Sequence, residues 1–118
     1  MDRTINVGGC EMRLRANAAT PIYYRNIFRD DLLNHLGEEE SNGARTEAVM
    51  RLAFVEHMQA TNEPKDLRKI GEEQFVTWLE RFEWKDILTA GQEAVMLWSG
   101  QSETLSESKN AEAEEAEG

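Results

Sequence analysis

A chain of 118 residues with a net charge of −10 and one cysteine has room for a single core and no internal disulfide. That charge excludes a generic phosphate-clamping nucleic-acid binder, which needs clustered Lys and Arg, and no apolar run approaches the ~18 residues of a membrane span. The N-terminal stretch MDRTINVGGCEMRLR has no apolar signal-peptide segment, so the expected setting is a reducing cytoplasm.

Residues 3–15 read as a β-hairpin. Gly8-Gly9 can supply the two positive φ values of a type I′ turn. Closing on that turn sets Val7 opposite Cys10, Ile5 opposite Met12 and Arg3 opposite Leu14. On the other face, Asn6 meets Glu11, Thr4 meets Arg13 and Asp2 meets Arg15. One face is then mostly apolar, with Cys10 as a small packing residue, and needs helices or another sheet to cover it.

A helix is expected over about 21–36, with Thr20 as its N-cap, Pro21 at its first position and Gly37 ending it. Projected at 100° per residue, Tyr23, Tyr24, Ile27, Phe28, Leu32 and Leu36 cover more than half its circumference. Such breadth fits either a helix central to the bundle or one with an inward flank and a partner-facing flank. Tyr and Arg favour interface hot spots, which makes Tyr23, Tyr24, Arg25 and Phe28 the candidate partner-binding residues.

Residues 38–43 read as an exposed loop, 44–61 as a second helix and NEPKD at 62–66 as a breaker. In the segment 72–82, Phe75, Trp78, Leu79 and Phe82 recur at i, i+3, i+4 and i+7, the stripe of a core-facing helix. A last helix, about 85–99, presents Ile87, Leu88, Gly91, Ala94, Val95 and Trp98. Residues 101–118 hold six Glu against one Lys, half of the net charge, with almost nothing to bury. A disordered acidic tail is expected there.

Catalytic and metal-ligating patterns are sparse. No spacing ties Cys10 to a histidine, and His57 sits among apolar residues as a packed or rim histidine. Asp31 and His35, four residues apart, could share a helix face, but two ligands fall short of a metal site. No phosphate loop, nucleophile elbow or paired-cysteine spacing occurs. A non-enzymatic protein without cofactor or metal is expected, with an α+β, predominantly helical fold: a hairpin, about four helices and the acidic tail.

The order of these features resembles the small tail assembly chaperones of long-tailed bacteriophages and prophages. INVGGCEMRLR is followed by ANAATPIYYRNIFRDDLLNHL, then a second apolar helix, FVTWLERFEWKDIL, a helix ending EAVMLW and a charged tail. The resemblance spans about residues 4–98. One departure is Asp30-Asp31 after the Phe-Arg pair, where many members carry a glycine near the middle of the run. The resemblance implies a factor that binds the tape measure protein, keeps it soluble and recruits major tail tube protein subunits. It implies action in the host bacterial cytoplasm, absence from the mature virion, and room for self-association. The alternative is an acidic phage or prophage regulator that mimics nucleic acid or inhibits a host protein; the charge motivates it.

Overall fold

A computed structural model describes the backbone of residues 1–34 and 42–117 and the side chains of residues 1–34 and 43–100. Gly8 and Gly9 take φ values of 59° and 87°, and the hairpin closes on them in the expected type I′ manner. Strands β1 (Asp2–Val7) and β2 (Cys10–Arg15) pair antiparallel, with the register predicted from the turn holding for all six pairs. Val7, Met12 and Leu14 are buried and Ile5 is half-buried, while Arg3 reaches Glu93 of the last helix at 3.2 Å. On the outer face Asp2 and Arg15 form a two-bonded pair at 2.9 and 3.0 Å. Cys10 departs from expectation. It is exposed at the hairpin tip, bordering an open cleft beside Lys85 and Asp86.

Helix α1 spans Thr20–Phe28, far shorter than predicted. Pro21 stands in its first turn as expected, but Ala19 occupies the cap position. Thr20 already lies inside the helix, fully buried. Its hydroxyl accepts from the Asn17 N–H at 3.0 Å and donates to Gln59 Oε1 at 2.7 Å. Gln59 Nε2 donates in turn to Asn17 Oδ1 at 3.2 Å, so Thr20 ties the start of α1 to the next helix instead of capping it.

The helix stops at Arg29, which turns left-handed at φ 54°, ψ 39°, with its N–H donating to the Arg25 carbonyl at 2.7 Å. A short 3-10 turn, Leu32–Asn34, follows and returns Leu32 to the core. The apparent breadth of the apolar circumference thus came from projecting residues 29–36 onto a helix that ends at Phe28. Leu33 is exposed; His35, Leu36 and Gly37 lie outside the described residues.

Helix α2, Asn42–Thr61, begins two residues before its predicted start and is the central element. Leu52, Ala53, Phe54, Val55 and Glu56 are buried in succession, which requires neighbours around the whole circumference. The hairpin, α1 and the last helix all pack on it.

A four-residue helix α3, Pro64–Leu67, occupies much of the segment read as a breaker. Proline at a first helical position starts a helix as readily as it stops the preceding one. Helix α4, Glu72–Leu79, buries Phe75 and Trp78 as its periodicity predicts; the chain then turns, yet Phe82 still packs on Trp78 at 4.9 Å between ring centroids.

Helix α5 runs Trp84–Glu117, beyond the predicted end near residue 99. Ala and Glu, which dominate residues 111–117, are strong helix formers even where nothing is buried. Side chains from 101 onward, and with them the expectation of a disordered tail, lie outside the described residues. Gly91 marks a close approach of α5 to α2: a Cβ there would stand 2.9 Å from Val49 Cγ2 and 3.0 Å from its backbone.

Two substitutions test these assignments. Gly91→Ala removes a helix-weakening glycine yet should lower stability by about 1–3 kcal/mol in urea unfolding, because the methyl forces α2 and α5 apart. Arg29→Gly should instead raise stability by about 0.5–1 kcal/mol, since glycine adopts the left-handed cap without Cβ strain. Loss of stability in that variant would mean the exposed Arg29 side chain contributes more than its backbone strain costs.

Candidate protein-binding surface

The residues expected to meet a partner do not converge on one surface. Tyr24 and Phe28 are buried, their rings 5.1 Å apart, and Tyr23 packs half-buried against the core. Arg25 alone of the four is well exposed. Phe28 continues into a cluster with Phe54 and Phe75, at 6.2 and 5.0 Å, and Phe54 meets Trp78 at 5.3 Å. Tyr24 and Phe28 therefore contact only the interior of this fold.

Chemistry is equally dispersed. Asp31 lies outside α1, and His35, with which it was expected to share a helix face, lies outside the described residues. Among the described residues no three His, Cys, Asp or Glu side chains gather around a possible metal position, and no helix is long and apolar enough to cross a membrane. His57 is half-buried as a rim histidine. Its ring stacks on Trp78 at 5.9 Å, and Nδ1 lies 2.9 Å from the Arg13 carbonyl. A carbonyl only accepts, so Nδ1 carries the proton. Burial, with Arg81 and Arg13 nearby, holds its pKa below the usual histidine value and keeps the ring neutral at pH 7.

What does converge is a groove between the start of α2, α4 and the head of α5. Its lining comes from the start of α2 (Gly43, Thr46, Glu47, Met50), from α4 (Glu72, Phe75, Val76, Leu79) and from Trp84 at the head of α5. The volume is about 430 Å³. Phe75 and Met50 are buried beneath it, while Val76 is 50% and Trp84 63% exposed. Ile22, Leu33 and Met96 are also exposed, as surface apolar residues commonly are, but are not among the residues lining this groove. Val76 and Trp84 share one concavity, which is the pattern of an interaction site.

The groove is edged by acid. Glu47 and Glu72 line it, and no Lys or Arg is among its described lining residues. Behind the rim lies Arg51, with 14% of its side chain exposed. It meets Glu47 at 3.2 Å, Asp30 at 3.5 Å and Glu72 at 3.7 Å, and its guanidinium sits 4.8 Å over the Phe28 ring. The Tyr24 hydroxyl faces the same guanidinium outside hydrogen-bond geometry, and burial pushes its pKa up. Arg51 thereby fixes the carboxylates of α2 and α4 relative to one another.

Sequence reading missed this surface, although part of its signal was present. Val76 lies on the charged side of α4 between Glu72 and Glu80, off the aromatic stripe, and Trp84 follows the stripe without belonging to it. Comparison with protein-family models, with curated proteins and with solved structures finds no match to this chain.

One buried titratable group was also missed. Glu56 is 0% exposed, its two carboxyl oxygens have no hydrogen-bond partner among the described residues, and burial raises its pKa to about 9 against the opposing pull of the N-terminal amine. The folded protein holds this carboxyl neutral, whereas the unfolded chain ionises it near its ordinary value of 4.5. The contribution to stability is therefore complete below that value and declines as pH rises towards 9, by roughly 1.4 kcal/mol per pH unit at most. Glu56→Gln should accordingly be more stable than the parent at pH 8, with the advantage shrinking towards pH 5, in paired urea titrations. A stability difference that does not vary with pH would show that Glu56 titrates normally.

Proposed function

We propose that this chain is a non-catalytic assembly factor of the phage tail assembly chaperone kind. It binds the tape measure protein, keeps it soluble and recruits tail tube subunits, acting in the host bacterial cytoplasm and leaving before the virion is complete. The observation that carries the reading is the groove holding Val76 and Trp84, an apolar concavity on an otherwise strongly acidic protein. Such a surface suits a client that exposes apolar helix faces, while the net charge of −10 keeps the complex dispersed by like-charge repulsion.

The order of hairpin, helices and charged C-terminal segment agrees with the resemblance carried by INVGGCEMRLR, TPIYYRNIFRDDLLNHL and FVTWLERFEWKDIL. A chaperone of this sort needs no reacting side chains. It needs apolar area that its own core leaves uncovered, held on rigid elements so that little ordering entropy opposes binding.

Co-expression with the tape measure protein of the same genome tests the reading. The expected result is a larger soluble fraction of that protein and a complex that copurifies with this chain. Equal solubility with and without the chain, together with no copurifying complex, would remove the proposal.

A further inference from the structure

The groove between α2, α4 and the head of α5 has a chemistry specific enough to name its occupant. We infer that it receives an amphipathic helix whose apolar face is flanked by Lys or Arg. This rests on the client-binding reading and narrows it to one surface and one class of ligand.

The apolar part of the recognition comes from depth and exposure together. Met50 and Phe75 form a buried floor, Leu79 is half-buried, and Val76 and Trp84 rise beside them into solvent. An exposed tryptophan at the edge of such a concavity has large apolar area to bury and few torsions to freeze, the profile of a binding hot spot. The occupant is helical because the walls are helices. None of the described lining residues belongs to a strand, so no strand edge is offered for an extended peptide, whereas an apolar helix face can insert between the helices.

Charge selects among helices. Glu47 and Glu72 line the groove, with no cation among its described lining residues. Arg51 is engaged behind the rim by Asp30, Glu47 and Glu72 at 3.2–3.7 Å. A helix with basic flanks completes these carboxylates. A second copy of this chain would instead bring another net charge of −10 against them, so a self-complementary dimer through this groove is disfavoured.

The test uses the full chain and two synthetic helical peptides that share one leucine face. One carries lysines on both flanks, the other glutamates at the same positions. Binding is read from tryptophan fluorescence and from calorimetry. The lysine peptide should bind saturably, shift the emission to shorter wavelength, and weaken with added salt; the glutamate peptide should bind at least about tenfold more weakly. Trp84→Ala should weaken the lysine peptide by about tenfold or more. Val76→Lys, at a half-exposed position that tolerates a long side chain, should reverse the preference between the two peptides. Equal affinity for both peptides, no binding of either, or indifference to both substitutions would overturn the inference.

The two proposals fail separately. If the lysine peptide binds as described but the tape measure protein is not retained, the assembly role falls and the groove stands. If the tape measure protein is retained equally by Trp84→Ala and Val76→Lys, the groove falls and the assembly role stands.

Discussion

Burial of α2 on every side is the constraint from which the rest of the structure follows. A helix with consecutive buried residues from Leu52 to Glu56 has no solvent face along that turn, so each neighbouring element is placed by what it lays against it. Phe54 collects Phe28, Phe75 and Trp78 around itself, with ring centroids 5.3–6.2 Å away and inclined rather than parallel. The hairpin closes another side through His57 and Arg15: the His57 ring bonds the Arg13 carbonyl, and Arg15 reaches the Gln59 carbonyl at 3.3 Å. Gly91 lets α5 close the last side at a distance no other residue permits. The cost of this centrality is Glu56, a polar side chain buried on that turn with no hydrogen-bond partner among the described residues.

The groove is what the same packing leaves over. α4 is only eight residues long, and its contact with α2 uses Phe75 and Trp78. Val76, between them in sequence, must then face away, because neighbouring residues of a helix point about 100° apart. The chain turns after Leu79 and enters α5 with the Glu83 carbonyl accepting the N–H groups of Asp86 and Ile87 at 3.0 and 3.1 Å. That geometry seats Trp84 in the first turn, beside the solvent face of α4. Val76 and Trp84 are thus exposed by the geometry of elements whose other faces are buried.

How much of this could be read from the residues depended on the range of the interaction responsible. The hairpin register was legible because a two-residue Gly-Gly turn sets every cross-strand pair by itself. The α4 stripe was legible because Phe75 and Trp78 obey a local period. The end of α1 was not: Arg29 carries no local signal for a left-handed conformation, and the chain beyond it is shaped by Leu32 returning to the core and Asp30 meeting Arg51. Cys10 was misread because burial at its partner Val7 does not extend to the hairpin tip. The candidate site failed for the same reason as α1. Tyr24 and Phe28 looked available only while α1 was taken as an element split between core and partner, and choosing α2 as the centre requires knowing that three other elements cover it. Val76 and Trp84 are thirty or more residues from Gly43 and Thr46, so no sequence window contains the groove.

Arg51 joins the two halves of this account. On its inner side it lies over the Phe28 ring, an attraction that strengthens as water is excluded. On its outer side it draws together carboxylates that would otherwise repel, Glu47 on α2 and Glu72 on α4. Acidic residues grouped at the mouth of an apolar groove oppose the packing of the helices that carry them, and one largely buried guanidinium offsets that repulsion while leaving their outer oxygens to solvent. Both carboxylates remain more than half exposed, so the energy of each pair is modest in water. An incoming cation therefore finds acids positioned in advance but not saturated. The charge that gives the groove its preference and the packing that gives it its shape meet in one residue, which is why a protein this acidic can keep Glu47 and Glu72 beside an apolar surface without that surface coming apart.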